Sequence, residues 1–400
     1  MAIKTLTGNF AVAEAAKLAR IKVTSAYPIT PQTTIVERLS EMIEKGELEA
    51  KMVRVESEHS ALAATLGAAA AGSRTFTATA SHGLLYMHEV LWWTASARIP
   101  VVMAVAARAI GAPWNIHVEH SDIIDQRDTG WIIGVAQENQ EVLDMTIQAF
   151  RISEDSYVYL PMIVGLDAFI LTHTVAPVDV PDQKDVDNWL PPRKQPYIIS
   201  PETKIVMGNV ASDEDYYMMR YSIQMGQEAA KKIIKEVDLS YGKVFGRSYG
   251  GLVECYKCED ADYVMVLMGS WAGDAKESIK ILRDKGINAG LARIRFVRPW
   301  PAEILKEKLG NKKGVIVFDR SISFGNVGQL FIETSSTLYG LTNMRGVIAG
   351  LGGVDVLPED FANEVMYFVH DVEENGKVYD PIRWLLPVKY RKEKIEEVTA

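Results

Sequence analysis

Residues suited to binding an anion and moving a proton follow apolar runs in the first third of the chain. They are Thr30 in PIT, Glu58 in SEHS, Ser81 and His82 in SHG, and Arg108 in ARAI. An arginine side chain is a planar fork that binds a carboxylate with two hydrogen bonds. A glutamate among apolar residues is partly removed from water, so it can share a proton with a heterocycle. Together these residue types predict a site for a small organic acid.

Each of these residues also has a purely structural interpretation. Thr30 could cap a helix that begins at Pro31, although the backbone amides of such a helix would also favour an anion. Ser57 or Ser60 could cap the alanine-rich helix that follows them, and Arg108 could pair with an acid at the surface. The shared position of these residues, each just after a predicted strand, favours a binding site over separate structural roles.

The elements that would position these residues alternate between apolar strands and amphipathic helices. Strands are predicted at 22–27, 51–56, 74–80 and 100–108, and helical patterns follow the first three. The strands are too apolar to have a face in water, which is typical of a doubly wound parallel sheet of the α/β class. Ligands of such sheets bind beyond the carboxyl ends of the strands. The loops that carry the candidate residues are therefore expected to meet at one edge.

A second α/β unit is predicted in the other half of the chain. Residues from about 175 to 215 are rich in proline and polar residues, so we interpret them as a linker arm. A helix is predicted at about 219–237. Further strands are predicted at 262–270, 289–297, 314–321 and 346–350. The predicted domains are 1–240, which includes the arm, and a smaller domain at 245–400.

The composition excludes several classes of function. The 400 residues are 48% hydrophobic, which suffices for two packed domains, and the net charge of −9 argues against a nucleic-acid partner. No apolar run reaches the ~18 residues of a membrane span, and no signal peptide is apparent. We therefore expect a soluble, cytoplasmic protein that binds neither nucleic acid nor membranes.

The two cysteines, Cys255 and Cys258, form a CxxC pair in ECYKCED. Such a pair can be a redox dithiol or half of a metal site, and the flanking residues also allow two incidental thiols. The pair cannot ligate a [4Fe–4S] cluster alone, because that cluster needs four thiolates. If electrons pass through this system, the clusters are expected on another chain.

Three further motifs resemble known binding sites only in part. HEVLW (88–92) has tryptophan where a zinc-binding HExxH motif needs its second histidine. HVEHSD (117–122) could ligate a metal, but no further histidine or cysteine accompanies it on the loop. GLGGVD (350–355) lacks the third glycine of a dinucleotide fingerprint and is interpreted as a tight turn. We therefore predict no metal site on this chain.

Long segments of the chain resemble a known family. They are SAYPITPQT, VESEHSALAATLGAAAAGSRTFTATASHGL, AVAARAIGAPWNIHVEHSDIIDQRDTGWI, ARIRFVRPWPAE and AGLGGVDV. In this order, over nearly the whole chain, they resemble the α subunit of 2-oxoacid:ferredoxin oxidoreductases. Within that family the resemblance is closest to multi-subunit pyruvate:ferredoxin oxidoreductase (pyruvate synthase). The implied fold is a transketolase-like domain that binds the pyrimidine of thiamine diphosphate, followed by a transketolase C-terminal-like domain that organises subunits.

The resemblance implies a reaction and a set of partners. Such enzymes decarboxylate a 2-oxo acid with thiamine diphosphate, pass electrons through iron–sulfur clusters to ferredoxin, and transfer the acyl group to CoA. The family's diphosphate-binding half normally carries a GDG motif, which this chain lacks. A β subunit is therefore expected to bind the diphosphate, Mg²⁺ and a [4Fe–4S] cluster, with γ and δ subunits completing the complex.

Cofactor contacts are implied for five residues. Glu58 matches the family's acid that hydrogen-bonds the pyrimidine N1′ and favours the imino tautomer that deprotonates the thiazolium. Pro28, Ile29, Ser81 and His82 are expected to contact the cofactor as well. A scaffold subunit with a degenerate site remains an alternative, and a stand-alone transketolase-like enzyme is disfavoured by the missing GDG motif.

Substrate contacts are implied for Thr30 and Arg108, which match positions that hold the carboxylate and carbonyl of the 2-oxo acid. Threonine at position 30 argues against oxalate, because related oxalate enzymes have arginine there. Trp114 departs from the smaller residues that pyruvate enzymes often have in this loop. It could narrow the pocket for pyruvate or stack on a larger side chain, so branched-chain and aromatic 2-oxo acids remain alternatives to pyruvate.

Overall fold

The structure is a computed structural model that describes residues 2–390, so the predicted domain's last stretch, 391–400, lies outside the described residues. The strands are β1 Ala2–Thr7, β2 Val23–Ser25, β3 Lys51–Val53, β4 Thr75–Thr79, β5 Val102–Ala107, β6 Ile132–Val135, β7 Met162–Asp167, β8 Val175–Val180, β9 Val253–Tyr256, β10 Tyr263–Leu267, β11 Ala289–Ile294, β12 Phe296–Arg298, β13 Gly314–Asp319, β14 Asn343–Ile348 and β15 Ile382–Trp384. The helices are α1 Gly8–Leu18, α2 Thr33–Glu44, α3 Glu58–Ala70, α4 Ser81–Tyr86, α5 His88–Ser96, α6 Ser121–Ile124, α7 Asn139–Ser153, α8 Gln183–Trp189, α9 Asp213–Phe245, α10 Trp271–Asp284, α11 Ala302–Leu309, α12 Gln329–Leu338 and α13 Pro358–Asn375.

The first sheet has seven strands in the order β12-β6-β7-β5-β4-β2-β3. All its neighbouring strands are parallel except β12, which runs antiparallel to β6 at one edge. Every residue of β4, β5, β6 and β7 is buried, as expected for strands covered by helices on both faces. The predicted doubly wound parallel sheet is confirmed.

The second sheet has six strands in the order β15-β14-β13-β10-β11-β9, and only β9 is antiparallel to its neighbour. The prediction of one strand at 289–297 is wrong. Residues Ala289–Ile294 belong to this sheet, whereas Phe296–Arg298 pair with β6 of the first sheet. The chain crosses between the sheets at Arg295, whose backbone N–H donates to Leu252 O and whose carbonyl accepts from Val135 N.

The stretch predicted as a linker arm contains regular structure. Strand β8 pairs antiparallel with β1, and helix α8 follows it before an irregular segment. Helix α9 is longer than the predicted 219–237, because its first turns carry exposed residues that lack an apolar period. Ser212 caps its first turn and Gly246 ends it at φ 78°. None of the helices within residues 2–390 has the length and hydropathy needed to cross a membrane.

A buried ion-pair cluster joins the two sheets. Glu141 of α7 accepts from Arg293 at 2.9 and 3.1 Å and from Arg295 at 2.7 Å, and all three side chains are 0% exposed. Arg293 also donates to Glu254 of β9 at 2.6 Å. Burial raises the pKa of Glu141, but the two guanidinium groups outweigh that and hold it below its ordinary value. The positive charges of the two arginines are therefore balanced by the carboxylates of Glu141 and Glu254, although Arg293, Arg295 and Glu141 are shielded from water.

Replacing one partner of this cluster tests its importance for stability. Glu141→Gln leaves two buried cations without their shared anion, so we expect a loss of about 3–5 kcal/mol in the free energy of unfolding. The measurement is the urea unfolding midpoint of the purified protein. Glu277→Gln is the control, because Glu277 pairs with Lys280 in an exposed position and should leave the midpoint unchanged. Equal midpoints for both variants would contradict the expectation.

Candidate active site

The strands β5, β4, β2 and β3 lie side by side and end at the same edge of the first sheet. The loops after them carry Arg108, Ser81, Thr30 and Glu58 respectively. The placement follows from parallel pairing, because parallel strands bring all their carboxyl ends to one edge. The predicted residues are thus brought together across loops that lie far apart in the sequence.

Thr30 does not cap the helix after it, so that prediction is wrong. Helix α2 begins at Thr33, and the side chain of Gln32 is instead directed across the turn. Its Oε1 accepts from Ile29 N at 3.3 Å, and its Nε2 donates to Ala78 O of β4 at 2.8 Å. A buried glutamine therefore fixes this turn, which leaves Thr30 and Pro28 exposed and Ile29 partly exposed.

Arg108 emerges from the buried end of β5 and is itself 3% exposed. Its Nη1 donates to the backbone oxygen of Thr30, which joins the two predicted substrate contacts directly. Its Nε is buried and has no hydrogen-bond partner in the part of the chain that the structure describes. No acid of residues 2–390 forms an ion pair with it, and burial lowers its pKa from the ordinary value. A buried cation with an unused donor is suited to an anionic ligand.

Asp122 joins two of the loops through backbone groups. Its Oδ2 accepts from the N–H of Ser81 at 2.9 Å and of Arg108 at 3.1 Å, and its Oδ1 accepts from Ile123 N at 2.8 Å. Complete burial raises its pKa to about 7, even though the three N–H donors favour the carboxylate. In the sequence, Asp122 stands out only as part of the possible metal motif HVEHSD. Its partners are backbone groups, which no side-chain pattern can reveal.

Ser81, His82 and Trp114 form a connected row. The hydroxyl of Ser81 donates to Ala109 O at 2.6 Å and lies 3.3 Å from His82 Nδ1. Since His82 Nε2 accepts from Gly111 N at 3.0 Å, the neutral ring carries its proton on Nδ1. The ring centroids of His82 and Trp114 are 4.8 Å apart, and Trp114 is 74% exposed. Trp114 is thus connected to Ser81 by way of the His82 ring.

Glu58 is the first residue of α3, next to Ser57, which caps the helix by accepting from Ser60 N at 3.2 Å. The cap predicted at Ser57 or Ser60 is therefore confirmed for Ser57. Glu58 is 9% exposed, and its carboxylate receives no hydrogen bond from residues 2–390. A Cβ atom at Gly83 would lie 2.7 Å from Glu58 Oε1, so glycine lets α4 approach the carboxylate.

The donor set fits a ligand that carries both a heterocycle and a nearby anion. Glu58 is a mostly buried carboxylate with unused hydrogen-bonding capacity, which suits a ring nitrogen. Arg108 is a buried guanidinium with an unused N–H. Asp122 joins the Arg108 loop to the Ser81 loop, and α4, which begins at Ser81, approaches Glu58 at Gly83, so the loops that carry Glu58 and Arg108 are connected.

The loop that carries Trp114 rests on the second sheet. Asn115 Nδ2 donates to Gly352 O at 2.9 Å, and Gly352 N donates to Glu119 Oε2 at 3.1 Å. Gly352 has φ +61°, and a Cβ atom there would lie 2.7 Å from Asn115 Nδ2. The tight turn predicted in GLGGVD is confirmed as a 3₁₀ turn at Leu351–Gly353. This turn is a support for the site that the sequence analysis missed.

His120 of the HVEHSD motif belongs to a polar cluster between the sheets. Its Nε2 lies 2.8 Å from Asp167 Oδ1, and Asp167 Oδ2 also accepts from Ser270 and Arg320. Burial raises the pKa of Asp167, but the charges of His120 and Arg320 outweigh it and lower that pKa well below its ordinary value. Within residues 2–390, no group of three or more His, Cys, Asp or Glu side chains is arranged to hold a metal ion.

Two family descriptions match the chain. Residues 14–239 match "Pyruvate flavodoxin/ferredoxin oxidoreductase, thiamine diP-bdg", and residues 261–361 match "Pyruvate:ferredoxin oxidoreductase core domain II". The first match covers the whole of the candidate site. It identifies this part of the chain as a thiamine-diphosphate-binding domain.

Relatives of similar length match nearly the whole chain. Pyruvate synthase subunit PorA of Methanothermobacter thermautotrophicus is 46% identical over 90% of this chain and 93% of the relative. Ketoisovalerate oxidoreductase subunit VorA of Pyrococcus horikoshii is 43% identical over 95% and 97%. A structure of 2-oxoglutarate:ferredoxin oxidoreductase from Magnetococcus marinus has the same fold, with a TM-score of 0.70 at 19% identity; the match covers 91% of this chain and 65% of that one. The chain belongs to the pyruvate flavodoxin/ferredoxin oxidoreductase family, as an α-type subunit of a multi-subunit 2-oxoacid oxidoreductase.

Proposed function

We propose that this chain binds the pyrimidine half of thiamine diphosphate in a complex that oxidatively decarboxylates pyruvate to acetyl-CoA and CO₂ and reduces ferredoxin. The observation that carries the proposal is that one sheet edge carries both Glu58, a carboxylate without a hydrogen-bond partner among residues 2–390, and the buried guanidinium of Arg108. The 46% identity to a pyruvate synthase subunit supports pyruvate as the substrate. Thiamine diphosphate, when bound, supplies the nucleophilic carbon and the electron sink for decarboxylation.

Glu58 would hold a proton at the pyrimidine N1′. Its position at the first turn of α3, with no competing donor among the described residues, leaves the carboxylate to the ligand. Gly83 keeps α4 close enough to exclude water from one side of the carboxylate. Exclusion of water strengthens a hydrogen bond to a ring nitrogen, so this hydrogen bond would be stronger here than at the protein surface.

Arg108 and Thr30 would orient the 2-oxo acid. The guanidinium keeps one N–H on the Thr30 carbonyl and presents the rest of its fork to a carboxylate. Because Thr30 is exposed and its hydroxyl forms no hydrogen bond within residues 2–390, that hydroxyl is available to the substrate carbonyl. Pro28, Ile29, Ser81 and His82 would complete the wall around the cofactor.

Partner subunits would supply the rest of the reaction. The absence of a GDG sequence from this chain supports a β subunit that binds the diphosphate, Mg²⁺ and a [4Fe–4S] cluster. Only two cysteines are present here, so electron transfer to ferredoxin would use clusters of the β subunit and of further γ and δ subunits. CoA would accept the acyl group within that assembly, in the cytoplasm.

A branched-chain 2-oxo acid is the second candidate substrate. It is favoured by the 43% identity to a ketoisovalerate oxidoreductase subunit and by Trp114, whose ring centroid lies 4.8 Å from that of His82. An indole at the rim can narrow a pocket for pyruvate or pack against a larger side chain. Pyruvate and a branched-chain 2-oxo acid would react by the same mechanism, and they differ only in the size of pocket that they require.

Glu58→Gln should lower the decarboxylation rate at least ~100-fold, because an amide cannot hold and return the proton of the ring nitrogen. The measurement is pyruvate-dependent reduction of ferredoxin or a dye by the natively purified complex, with assembly checked by gel filtration. Glu56→Gln is the matched control: this exposed residue lies two positions earlier, bonds to Ser60, and should leave the rate unchanged. Full activity in Glu58→Gln would favour the scaffold alternative.

The substrate is tested with a panel of 2-oxo acids on the same complex. We expect the highest kcat/KM with pyruvate, and Trp114→Ala should shift the preference at least ~10-fold toward ketoisovalerate, because removing an indole opens the pocket by several methylene groups. Trp93→Ala is the control, since Trp93 is similarly exposed but lies on α5. A wild-type preference for a branched or aryl acid would overturn pyruvate and keep the mechanism.

Asp122→Asn tests the buried carboxyl that holds the Ser81 and Arg108 loops. The folded-state pKa of about 7 lies above the ordinary 3.8, so the folded protein binds more protons than the unfolded chain between these values. Its contribution to stability is therefore present below about pH 4 and lost as pH rises toward 7. Asn cannot titrate, so the difference in melting temperature between wild type and variant should change over this range. Asp125→Asn, at an exposed neighbour, should follow the wild type; a constant difference for Asp122→Asn would contradict the assignment.

A further inference from the structure

Thr79, the last residue of β4, has a buried hydroxyl group close to the carboxylate of Glu58. Thr79 is 0% exposed, and its hydroxyl has no hydrogen-bond partner within residues 2–390. A Cβ atom at Gly83 would lie 2.5 Å from Thr79 Oγ1 and 2.7 Å from Glu58 Oε1. The two oxygens are therefore no further apart than these two distances together. An unused donor and an unused acceptor thus meet at the same backbone position of α4.

The unpaired hydroxyl of Thr79 lowers the stability of the folded chain. A hydroxyl that is removed from water without a hydrogen bond destabilises a protein, because its hydrogen bonds to water are lost and not replaced. Valine has nearly the same shape, favours strands, and would avoid this cost in a strand that is buried along its whole length. The hydroxyl is therefore better explained by a partner that it acquires at the site than by packing.

We propose that Thr79 is a positioning residue for Glu58, an inference that rests on the proposed function. Its hydroxyl donates to Glu58 Oε1 and leaves Oε2 for the ring nitrogen of the cofactor. This bond forms by rotation of the Glu58 side chain, which no other hydrogen bond within residues 2–390 opposes. A carboxylate that is bonded through one oxygen cannot turn away from the ring, so the productive geometry is held before the ligand arrives.

Gly83 allows this contact, because a side chain there would collide with both oxygens. The hydroxyl oxygen of Thr79 is the atom nearest to the Cβ position of Gly83, so the hydroxyl is directed toward α4 and Glu58. Glycine at this position therefore lets the end of β4 and the start of α3 approach one another.

Thr75 provides a matched control on the same strand. It is the first residue of β4, it is 2% exposed, and its hydroxyl also has no partner among the described residues. Four residue steps of extended strand place it about 13 Å from Thr79, too far for a hydrogen bond to Glu58. The substitutions Thr75→Val and Thr79→Val therefore remove the same buried group at opposite ends of one strand.

The experiment compares these variants in the natively purified complex. The measurements are the thiamine diphosphate retained after gel filtration, determined by thiochrome fluorescence, and the rate of pyruvate-dependent dye reduction. Thr79→Val should retain at least ~3-fold less cofactor and react at least ~10-fold more slowly, because Glu58 is no longer held in place. Thr79→Ser keeps the hydroxyl and should remain within ~2-fold of the wild type. Thr75→Val should change neither measurement.

The melting temperature separates this role from a loss of folding. Removing an unpaired buried hydroxyl should leave the melting temperature of both valine variants equal to or above that of the wild type. A slower reaction in Thr79→Val therefore cannot come from unfolding. If Thr79→Val matches Thr75→Val in cofactor retention and rate, or if Thr79→Ser is as slow as Thr79→Val, the proposal is overturned.

A double variant shows whether Thr79 acts through Glu58. Adding Thr79→Val to Glu58→Gln should slow the reaction less than ~2-fold further, because the group that Thr79 positions is already lost. Losses that multiply would mean that Thr79 acts independently of Glu58, which contradicts the proposal. Full activity in Glu58→Gln alone would overturn the proposed function and this inference together. A slow Glu58→Gln beside a fully active Thr79→Val would overturn only the role of Thr79.

Discussion

Burial of both faces of a parallel sheet limits where this chain can place polar groups. The central strands of the first sheet are covered along their whole length, so side chains that meet a ligand must stand beyond the strand ends. Parallel pairing then brings four such ends together. Thr30, Glu58, Ser81 and Arg108 follow these ends, and this edge is where we propose that the ligand binds.

Buried carboxylates hold the surrounding loops in register with that edge. Asp122 accepts backbone N–H groups from two loops, Asp167 joins the end of β7 to the second sheet, and Glu141 binds two arginines from the other half of the chain. Each carboxylate is fully buried and each has several donors. The donors outweigh the cost of burial for Glu141 and Asp167, whose pKa values are lowered, whereas for Asp122 burial outweighs them and its pKa is raised. The same device thus serves the site and the junction between the sheets.

The sequence was sufficient for the strands and for the residues that follow them, because apolar runs and their polar ends are local patterns. The sequence was not sufficient for features that depend on contacts between residues far apart in the chain. The helix after Thr30 begins later than Pro31, where the side chain of Gln32 donates to β4. The run 289–297 divides into two strands at Arg295, whose side chain donates to Glu141. The role of Asp122 in joining two loops could not be predicted, because its partners are backbone N–H groups and every residue except proline has one.

The second half of the chain contacts the loop that carries Trp114 through backbone groups of a glycine turn. Gly352, in the 3₁₀ turn Leu351–Gly353, hydrogen-bonds to Asn115 and Glu119, which lie near the two ends of the loop that carries Trp114. A side chain at position 352 would collide with Asn115, so the turn can approach the loop only because position 352 is a glycine. The position of Trp114 therefore depends on how the two sheets pack. If Trp114 bounds the substrate pocket as proposed, substitutions in the second sheet that move this loop would change the substrate preference without touching the substrate.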